Sequence, residues 1–327
     1  MQAITFEKYG GPEVLRLSER PKPTPGQGEV LVRVRAASLN AMDRRLMRAD
    51  PLLVRCFNGL LVPKQRALGA DVAGIVEAVG PGVRRLAPGQ AVFGFTSKHA
   101  RGGLAEYVAL PERALARKPD GLGFEQAAAV VLAGFTALQA VRERARLRPG
   151  DAVLIQGAGG GVGTLLVQVA KAYGARVTAV CGPRSAELVR SLGADRLLDR
   201  TRHDVRREGA RYDAIFGVHG YQALAAYRDG LKPGGTYVMV GGESRQLYEA
   251  MLLGRWAFAR SGKRIELLQL DEERHADDLE ELCTLIAAGR LRPVLDRVYP
   301  LEQTAEAMRH LERAHVRGKL VVRVAEA

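Results

Sequence analysis

Cysteine and tryptophan are scarce in this sequence. Only three cysteines and one tryptophan occur among its 327 residues, and Cys56, Cys181 and Cys283 are far apart. The sequence has no CxxC pair, which excludes a four-cysteine zinc lobe and gives no basis for a disulfide framework. We therefore expect three reduced and mostly buried thiols.

A long apolar run is also missing, and so is the pattern of a signal peptide in the opening residues. The least polar stretch, residues 127–141, contains Thr136 and Gln139. It is shorter than the roughly 20 residues that a membrane span needs. The opening residues have no basic flank followed by an apolar core, so they do not predict a signal peptide. We expect a cytoplasmic protein with no membrane partner.

The sequence also lacks the histidine patterns of metal sites and hydrolases. Its six histidines have no metal-site spacing, and no Ser/His/Asp or Gly-X-Ser-X-Gly arrangement is present. The net charge is +13, carried mainly by arginine, but the arginines alternate with acids, as in residues 200–208. No aromatic RNA-binding run accompanies them. We expect a solvated basic surface, and nucleic-acid binding is the minor alternative.

What is present is a β-rich part followed by alternating strands and helices. Residues 29–36 alternate with the period of a half-buried strand, and residues 73–79 and 90–95 are also strand-like. After residue 121 the pattern predicts a long helix over 124–147. It then predicts strands at 152–155, 176–181, 196–198, 212–216 and 236–240 and helices at 165–173, 185–192 and 221–231. This alternation favours a parallel, doubly wound sheet.

A glycine-rich loop follows the first strand of the alternating part. Its pattern is Ala158-X-Gly160-X-X-Gly163, between an apolar strand and a helix, which is the context of a dinucleotide-binding loop. Bare glycines let the backbone approach a pyrophosphate, and the helix N-terminus presents N–H groups to it. The predicted binding residues of the loop are Gly157, Ala158, Gly160, Gly161, Val162 and Gly163.

The end of the second strand bears on which dinucleotide binds. An NAD site usually places Asp or Glu there, about 20 residues after the loop, to hold the ribose hydroxyls. Here Arg184 and Ser185 occupy that region, and the first acid is Glu187. Arginine can pair with a 2′-phosphate that a carboxylate would repel. The sequence favours NADPH over NADH; the alternative is that Arg184 only caps a surface loop.

Several further blocks carry a family resemblance over essentially the whole chain. They are residues 9–15 (YGGPEVL), 26–32 (GQGEVLV), 68–74 (LGADVAG), 102–107 (GGLAEY), 192–195 (LGAD) and 317–321 (RGKLV). With the glycine loop among them, the sequence resembles the medium-chain dehydrogenase/reductase superfamily, in its zinc-independent, zeta-crystallin-like quinone oxidoreductase branch.

This resemblance implies a Rossmann domain inserted in a GroES-like catalytic domain. Residues 1–120 and 271–327 would form the catalytic domain, residues 121–270 would form the NADP-binding domain, and the protein would be a homodimer. The resemblance places Asn40 and Asp43 beside the nicotinamide and substrate, where Asn40 could hydrogen-bond to a developing oxyanion. The alternative is that both only structure their loop. Further cofactor positions implied by matching family positions are Thr136, Val240, Gly241, Gly242 and Lys319. Arg200 stands where family members often carry tyrosine; it is a candidate second phosphate partner, and the alternative is that it is simply exposed.

Two departures from the zinc-dependent members decide the expected chemistry. Where those enzymes carry a cysteine three residues before an aspartate, and Gly-His-Glu, this chain has Asn40 and Gly69-Ala70-Asp71. A three-ligand catalytic zinc site cannot be built from these residues. We expect no zinc, and hydride transfer from NADPH to an electrophilic small molecule, either a quinone or an α,β-unsaturated carbonyl. The alternatives are an enoyl-thioester or enal reductase, an alcohol dehydrogenase, and a fold-retaining, nucleotide-sensitive RNA-binding protein.

Overall fold

The structure is a computed structural model that describes residues 1–96, 102–202, 204–313 and 316–325. Two compact units make up the chain. The first unit comprises Met1–Leu132, Asp271–Ala287 and Pro293–Ala327, and the second comprises Ala133–Leu270 and Ala288–Arg292. The structural division therefore falls inside a helix, whereas the sequence pattern changes near residue 121.

The first unit is mainly β. Its strands are β1 (Gln2–Thr5), β2 (Arg16–Glu19), β3 (Glu29–Ser38), β4 (Asp71–Val79), β5 (Ala91–Phe95), β6 (Tyr107–Pro111) and β7 (Leu115–Arg117), with β14 (Leu295–Pro300) and β15 (Lys319–Arg323) from the C-terminal part. Its helices are α1 (Ala41–Arg48), α2 (Val54–Asn58), α8 (His275–Ala287) and α9 (Thr304–Glu312).

Strand β3 organises the sheet of the first unit. Its alternating valines, Val30, Val32 and Val34, are fully buried in one apolar cluster with residues of the neighbouring strands. Strand β3 pairs antiparallel with β4, β6 and β15, and the sheet order is β14-β15-β3-β4-β5-β7. Strand β15 thus lies beside β3, the first long strand, and residues near the end of β3 are close to residues of β15.

The second unit is a parallel sheet with helices between its strands. Its strands are β8 (Ala152–Gln156), β9 (Arg176–Cys181), β10 (Arg196–Asp199), β11 (Tyr212–Gly217), β12 (Leu231–Met239) and β13 (Arg264–Leu267), and its helices are α4 (Gly161–Ala172), α5 (Ala186–Ser191), α6 (Leu224–Gly230) and α7 (Ser244–Phe258). The strand order is β10-β9-β8-β11-β12-β13, and every neighbouring pair is parallel. The predicted doubly wound Rossmann sheet and its GroES-like companion are confirmed.

One apolar helix, α3 (Phe124–Gln139), begins in the first unit and ends in the second. It continues as a π-helical segment, Ala140–Ala145. The combined helix is long and apolar enough to cross a membrane, but 83% of its most apolar window is buried inside the protein. A buried core helix of a globular protein has the same composition, so this helix gives no separate indication of a membrane span.

Several boundaries differ from the sequence prediction for local reasons. Helix α4 begins at Gly161 rather than residue 165, because the glycine loop itself turns into the helix. Helix α6 begins at Leu224 rather than residue 221. Helix α7 and strand β13 have no predicted counterpart, since the large apolar residues of α7 are mostly exposed and β13 alternates charged with apolar residues over only four positions. The sequence pattern also predicts a helix over about residues 301–314; α9 is Thr304–Glu312, and Ala314 lies outside the described residues.

Candidate cofactor and active-site residues

The glycine loop lies where the strand order of the second unit reverses. Strand β8 has β9 on one side and β11 on the other, and the loop leaves β8 directly after Gln156. The segment after β11 is next to it, since the N–H of Val218 donates to the Gln156 carbonyl over 3.0 Å. In open α/β sheets, ligands bind at the carboxyl ends of the strands at this reversal.

Three glycines of the loop, Gly157, Gly160 and Gly163, have different structural surroundings. Gly157 has a φ of +87°, a conformation that disfavours side chains. A β-carbon on Gly163 would clash with the Gly157 carbonyl oxygen, so Gly163 permits close packing of α4 on the loop. A β-carbon on Gly160 would meet nothing closer than that same oxygen, 3.8 Å away. Folding of the chain therefore leaves the space beside Gly160 open.

Gly160 is also the N-cap residue of α4. It has extended backbone angles and no side chain with which to bond the first N–H groups of the helix. Such N–H groups, together with the helix dipole, favour an anion. Val162 lies half-buried in the first turn, and Ala158 is buried, with its N–H bonded to the Val180 carbonyl at 3.1 Å. The predicted loop residues thus lie together around one open cradle.

The end of β9 gathers the predicted phosphate-binding residues. Arg184 and Ser185 lie in a 3-10 turn directly after this strand. The N–H of Arg200 donates to the Cys181 carbonyl over 3.0 Å, and its guanidinium runs beside Gly182. Sequence reasoning missed Gly159, on which a β-carbon would lie 2.7 Å from the Ser185 hydroxyl oxygen. Bare Gly159 lets Ser185 approach the glycine loop.

The remaining Rossmann-side candidates lie at two other places. Val240 and Gly241 follow β12, and both N–H groups donate to the Gly217 carbonyl at 3.0 Å, which holds them at the carboxyl end of β11. Gly242 continues this segment with a φ of +121°. Thr136 lies buried on α3.

A buried polar cluster in the first unit contains the other candidates. Its members are Ser38, Asn40, Asp43, Asp71 and Lys319. Asp71 is the hub: its carboxylate accepts from the Ser38 hydroxyl, from the Asn40 amide at 2.9 Å and from the Leu132 N–H at 2.9 Å. The ammonium of Lys319 lies 3.7 Å from the same carboxylate. We call these five residues the Asp71 cluster.

The structure places Lys319 inside this cluster, beside Asn40. Its ammonium donates to the Asn40 side-chain oxygen over 2.5 Å and to the Leu39 carbonyl over 3.1 Å. Burial lowers the pKa of Lys319, and the nearby carboxylates of Asp71 and Asp43 oppose that shift. The structure therefore places Lys319 together with Asn40 and Asp43, and its role in binding the cofactor stays a prediction. The signal in the sequence was weak, since Asp71 and Lys319 belong to separate blocks.

The bonds of Asn40 argue against the oxyanion role expected for it. Its amide nitrogen donates to Asp71 and, at 3.3 Å, to the Ser38 carbonyl, and its amide oxygen accepts from Lys319. Both N–H groups are thus already directed into the cluster. Asp43 accepts the Asn40 backbone N–H and the Gly69 N–H, each at 2.9 Å. The loop-structuring alternative fits both residues, because their polar atoms hold the start of α1 in place.

We predict that Lys319→Met destabilises the protein by about 3 to 5 kcal/mol. The substitution would leave the Asp71 carboxylate buried without its cation, and breaking a buried pair from one side costs about this much. Asp71→Asn in the Lys319→Met background should recover part of the loss. Urea unfolding of the parent, single and double variants measures both effects. A loss for Lys319→Met below about 1 kcal/mol would show that the pair carries no such energy.

Comparison with known proteins gives the family. The alcohol dehydrogenase GroES-like domain model matches residues 26–120, and the zinc-binding dehydrogenase model matches residues 192–322. The chloroplast envelope quinone oxidoreductase homolog of Arabidopsis thaliana is 32% identical, over 98% of this chain and 98% of the relative. The NADPH-dependent alkenal/one oxidoreductase, chloroplastic, of the same plant is 33% identical, over 98% and 79%.

Solved structures agree with this assignment. The quinone oxidoreductase from Coxiella burnetii is 30% identical, with a TM-score of 0.87 over 99% of each chain. The chain belongs to the quinone oxidoreductase branch of the medium-chain dehydrogenases/reductases. It is therefore an enzyme, an oxidoreductase of the quinone or alkenal reductase type that uses a nicotinamide cofactor.

The nucleotide and the substrate of this enzyme do not follow from the family alone and depend on its own residues. A structure named NAD-dependent alcohol dehydrogenase is 32% identical, with a TM-score of 0.85 over 99% of this chain and 100% of that one. Similar chains thus carry names that differ in nucleotide and substrate. Both Arabidopsis relatives carry chloroplast names, so the cytoplasmic localisation stays a prediction.

Proposed function

We propose that this enzyme transfers hydride from NADPH to quinones or α,β-unsaturated carbonyls without zinc. The observation that carries the nucleotide site is the open space beside Gly160, at the N-terminus of α4 and at the reversal of strand order. Packing within the chain does not require glycine there, whereas close approach of a pyrophosphate does. Gly157 and Gly163 shape the loop around this position.

The preference for NADPH rests on the residues after β9. Arg184 and Arg200 offer two guanidinium groups and Ser185 a hydroxyl near the position where a 2′-phosphate would lie. Charge-assisted bonds from arginine to phosphate are stronger than neutral ones. Asp199, the residue before Arg200, is bonded to the N–H and hydroxyl of Thr201 at 2.9 and 2.8 Å.

The donor set of the first unit does not fit the zinc that one matching family name implies. Asn40 and Ala70 stand at two of the expected ligand positions, and the ammonium of Lys319 is bonded to Asn40. A zinc ion would need thiolate, imidazole or carboxylate ligands there, and an ammonium repels it. Across residues 1–96, 102–202, 204–313 and 316–325, no three His, Cys, Asp or Glu side chains converge to hold a metal. His99, His203 and His315 lie outside these ranges.

We accordingly expect activity to survive metal removal. Prolonged dialysis against a strong chelator should leave kcat/KM within about twofold of the untreated enzyme, because no step of the proposed reaction uses a Lewis acid. Elemental analysis of the same sample should give far less than one zinc per chain. Loss of activity on chelation, restored by added zinc, would contradict the proposal and favour alcohol dehydrogenation.

In the proposed reaction, the protein mainly binds and orients the cofactor and the substrate. Bound NADPH would supply the hydride to the electrophilic carbon or the quinone ring. The glycine loop and α4 would hold the pyrophosphate, and Arg184 and Arg200 would hold the 2′-phosphate. The enolate or hydroquinone anion formed from the substrate would then take a proton from water or a nearby donor.

A substrate panel tests this proposal. NADPH oxidation is followed by absorbance with quinones, enones and enals, enoyl thioesters and simple alcohols plus NADP. We expect turnover with quinones or enones; preferential turnover of enoyl thioesters or enals would narrow the acceptor to the alternative, an enoyl-thioester or enal reductase. Failure with every acceptor, combined with salt-dependent RNA binding that NADPH abolishes, would support the nucleic-acid alternative instead.

We further propose that the enzyme is a homodimer joined through β13. This strand lies at the edge of its sheet, and antiparallel pairing with its own copy about Ile265 would place Arg264 opposite Glu266 twice. Helix α7 packs beside it through Gly254 and exposes Trp256 and its neighbouring leucines. Sedimentation velocity would give the mass; a monomer at micromolar concentration would contradict this arrangement.

A further inference from the structure

A second exposed apolar surface lies in the first unit, after α1. Residues 52–62, which we call the apolar loop, include α2. Leu52, Phe57 and Leu61 are 71%, 78% and 84% exposed. Leu53, Leu60 and Val62 are exposed as well. Six large apolar side chains within one short segment exceed the scattered exposure usual for soluble proteins, so this surface calls for a partner.

Hydrogen bonds from polar side chains hold the backbone of the apolar loop in place. The Tyr9 hydroxyl donates to the Gly59 carbonyl over 2.8 Å, and Arg55 donates to the Leu60 carbonyl over 3.0 Å. The Asn58 side chain is buried and accepts the Gln65 N–H at 3.0 Å. These bonds fix the backbone while the apolar side chains face solvent. That is the reverse of the usual surface loop, whose polar side chains face water.

A single glycine allows the tight turn at the tip of the loop. Gly59 has a φ of +106°, and a β-carbon there would collide with the Val62 carbonyl oxygen. The turn presents Leu60 and Leu61 at its outer side, where both are exposed. The turn therefore keeps the side chains of these two adjacent leucines exposed on the protein surface.

The charge around the loop indicates the partner. Residues 44–66 contain six basic residues and one acid, Asp50. Arg44 pairs with Asp50 at 3.1 Å, Arg48 with Glu312, and Arg66 with Glu7 at 3.8 Å, so the surface keeps a net positive charge. Lys64 and Arg66 are exposed at the end of the loop. A second copy of this chain would bring two such basic surfaces together. An anionic surface with an apolar interior matches both the charge and the leucines.

We propose that the apolar loop docks into the headgroup region of an anionic lipid bilayer. Leucine and phenylalanine side chains would enter the boundary of the acyl chains, and Lys64 and Arg66 would remain among the anionic headgroups. This is interfacial binding and needs no membrane span. It departs from the expectation of no membrane partner, and it stands independently of the substrate and nucleotide proposed above.

Vesicle co-sedimentation of the full chain tests the proposal. We expect binding to vesicles of phosphatidylcholine mixed with phosphatidylglycerol, about tenfold weaker binding to phosphatidylcholine alone, and release by high salt. The double variant Leu60→Asn/Leu61→Asn should bind the anionic vesicles about tenfold more weakly. Leu17→Asn/Val79→Asn is the control, since it removes two other exposed apolar side chains of the first unit, outside the apolar loop and the proposed dimer contact, and it should bind within about threefold of the parent.

The fluorescence of a label attached to the loop gives a second readout that leaves its leucines unchanged. Cys56 is exposed, whereas Cys181 is buried, so Cys56 in a Cys283→Ala background can carry an environment-sensitive fluorophore. Its emission should shift to the blue on anionic vesicles. Absence of binding and shift, equal loss in the Leu17→Asn/Val79→Asn control, or a smaller mass of the Leu60→Asn/Leu61→Asn variant in solution would each overturn the proposal. The last result would assign the loop to a second copy of the chain.

Discussion

Gly160→Val should abolish binding of NADPH and NADH alike, by at least about 100-fold, which is roughly 3 kcal/mol of binding free energy. The valine side chain would fill the open space beside the N-terminus of α4, where the pyrophosphate is proposed to lie. Folding should change little, because a β-carbon there meets no atom within 3.4 Å and the backbone is extended. We expect a stability loss of about 1 kcal/mol or less, from the poorer N-cap. Fluorescence titration and thermal unfolding measure the two effects.

Gly163→Ala is the matched control for this variant. Its β-carbon would press on the Gly157 carbonyl, so it should lower stability by about 1 to 3 kcal/mol. Gly160 is thus expected to matter for nucleotide binding, and Gly163 for the stability of the fold. Unchanged nucleotide affinity in Gly160→Val, with the protein folded, would refute the assignment of the loop.

Arg184→Ala should weaken NADPH binding by about 10- to 100-fold and leave NADH binding within about threefold. A charge-assisted bond to phosphate contributes about 1.5 to 3 kcal/mol, and NADH has no phosphate at that position. Removing Arg200 as well should deepen the loss for NADPH only, if both guanidinium groups reach the same phosphate. Titration of each variant with both nucleotides gives the ratio directly.

Arg176→Ala provides the control for Arg184→Ala. Arg176 is an exposed arginine at the other end of β9, so its removal changes the net charge equally without touching the proposed phosphate site. It should leave both affinities near those of the parent. Equal losses of NADPH and NADH binding in Arg184→Ala would mean that this arginine does not select the nucleotide.

The Rossmann unit was largely predictable because its signals are local. Strand β8 is a short buried apolar run, and the glycine loop follows it directly, so neighbouring residues carry both strand and site. Helix α7 and strand β13 were not predictable in this way. Most large apolar residues of α7 face outward, and β13 has only two apolar residues, Ile265 and Leu267, rather than a continuous apolar run.

The Asp71 cluster shows what a sequence pattern leaves undetermined. Lys319 reaches Asn40 only because β15 pairs with β3 across nearly the whole chain length. The family resemblance implied roles for Asn40 and Lys319 near a cofactor, but hydrogen-bond directions depend on side-chain geometry. That geometry shows Asn40 with its donors already engaged. Asp71, the hub, had been noted only as a missing-zinc position.

The buried ammonium of Lys319 has a consequence for the physiology of such an enzyme. A positive charge that belongs to the polypeptide is synthesised with it, and it cannot exchange, be sequestered or be replaced by a competing ion. Asp71 thus has its counter-charge from the moment of folding. If the enzyme works without zinc as proposed, the charge balance of the Asp71 cluster would not depend on the supply of trace metals in the cell.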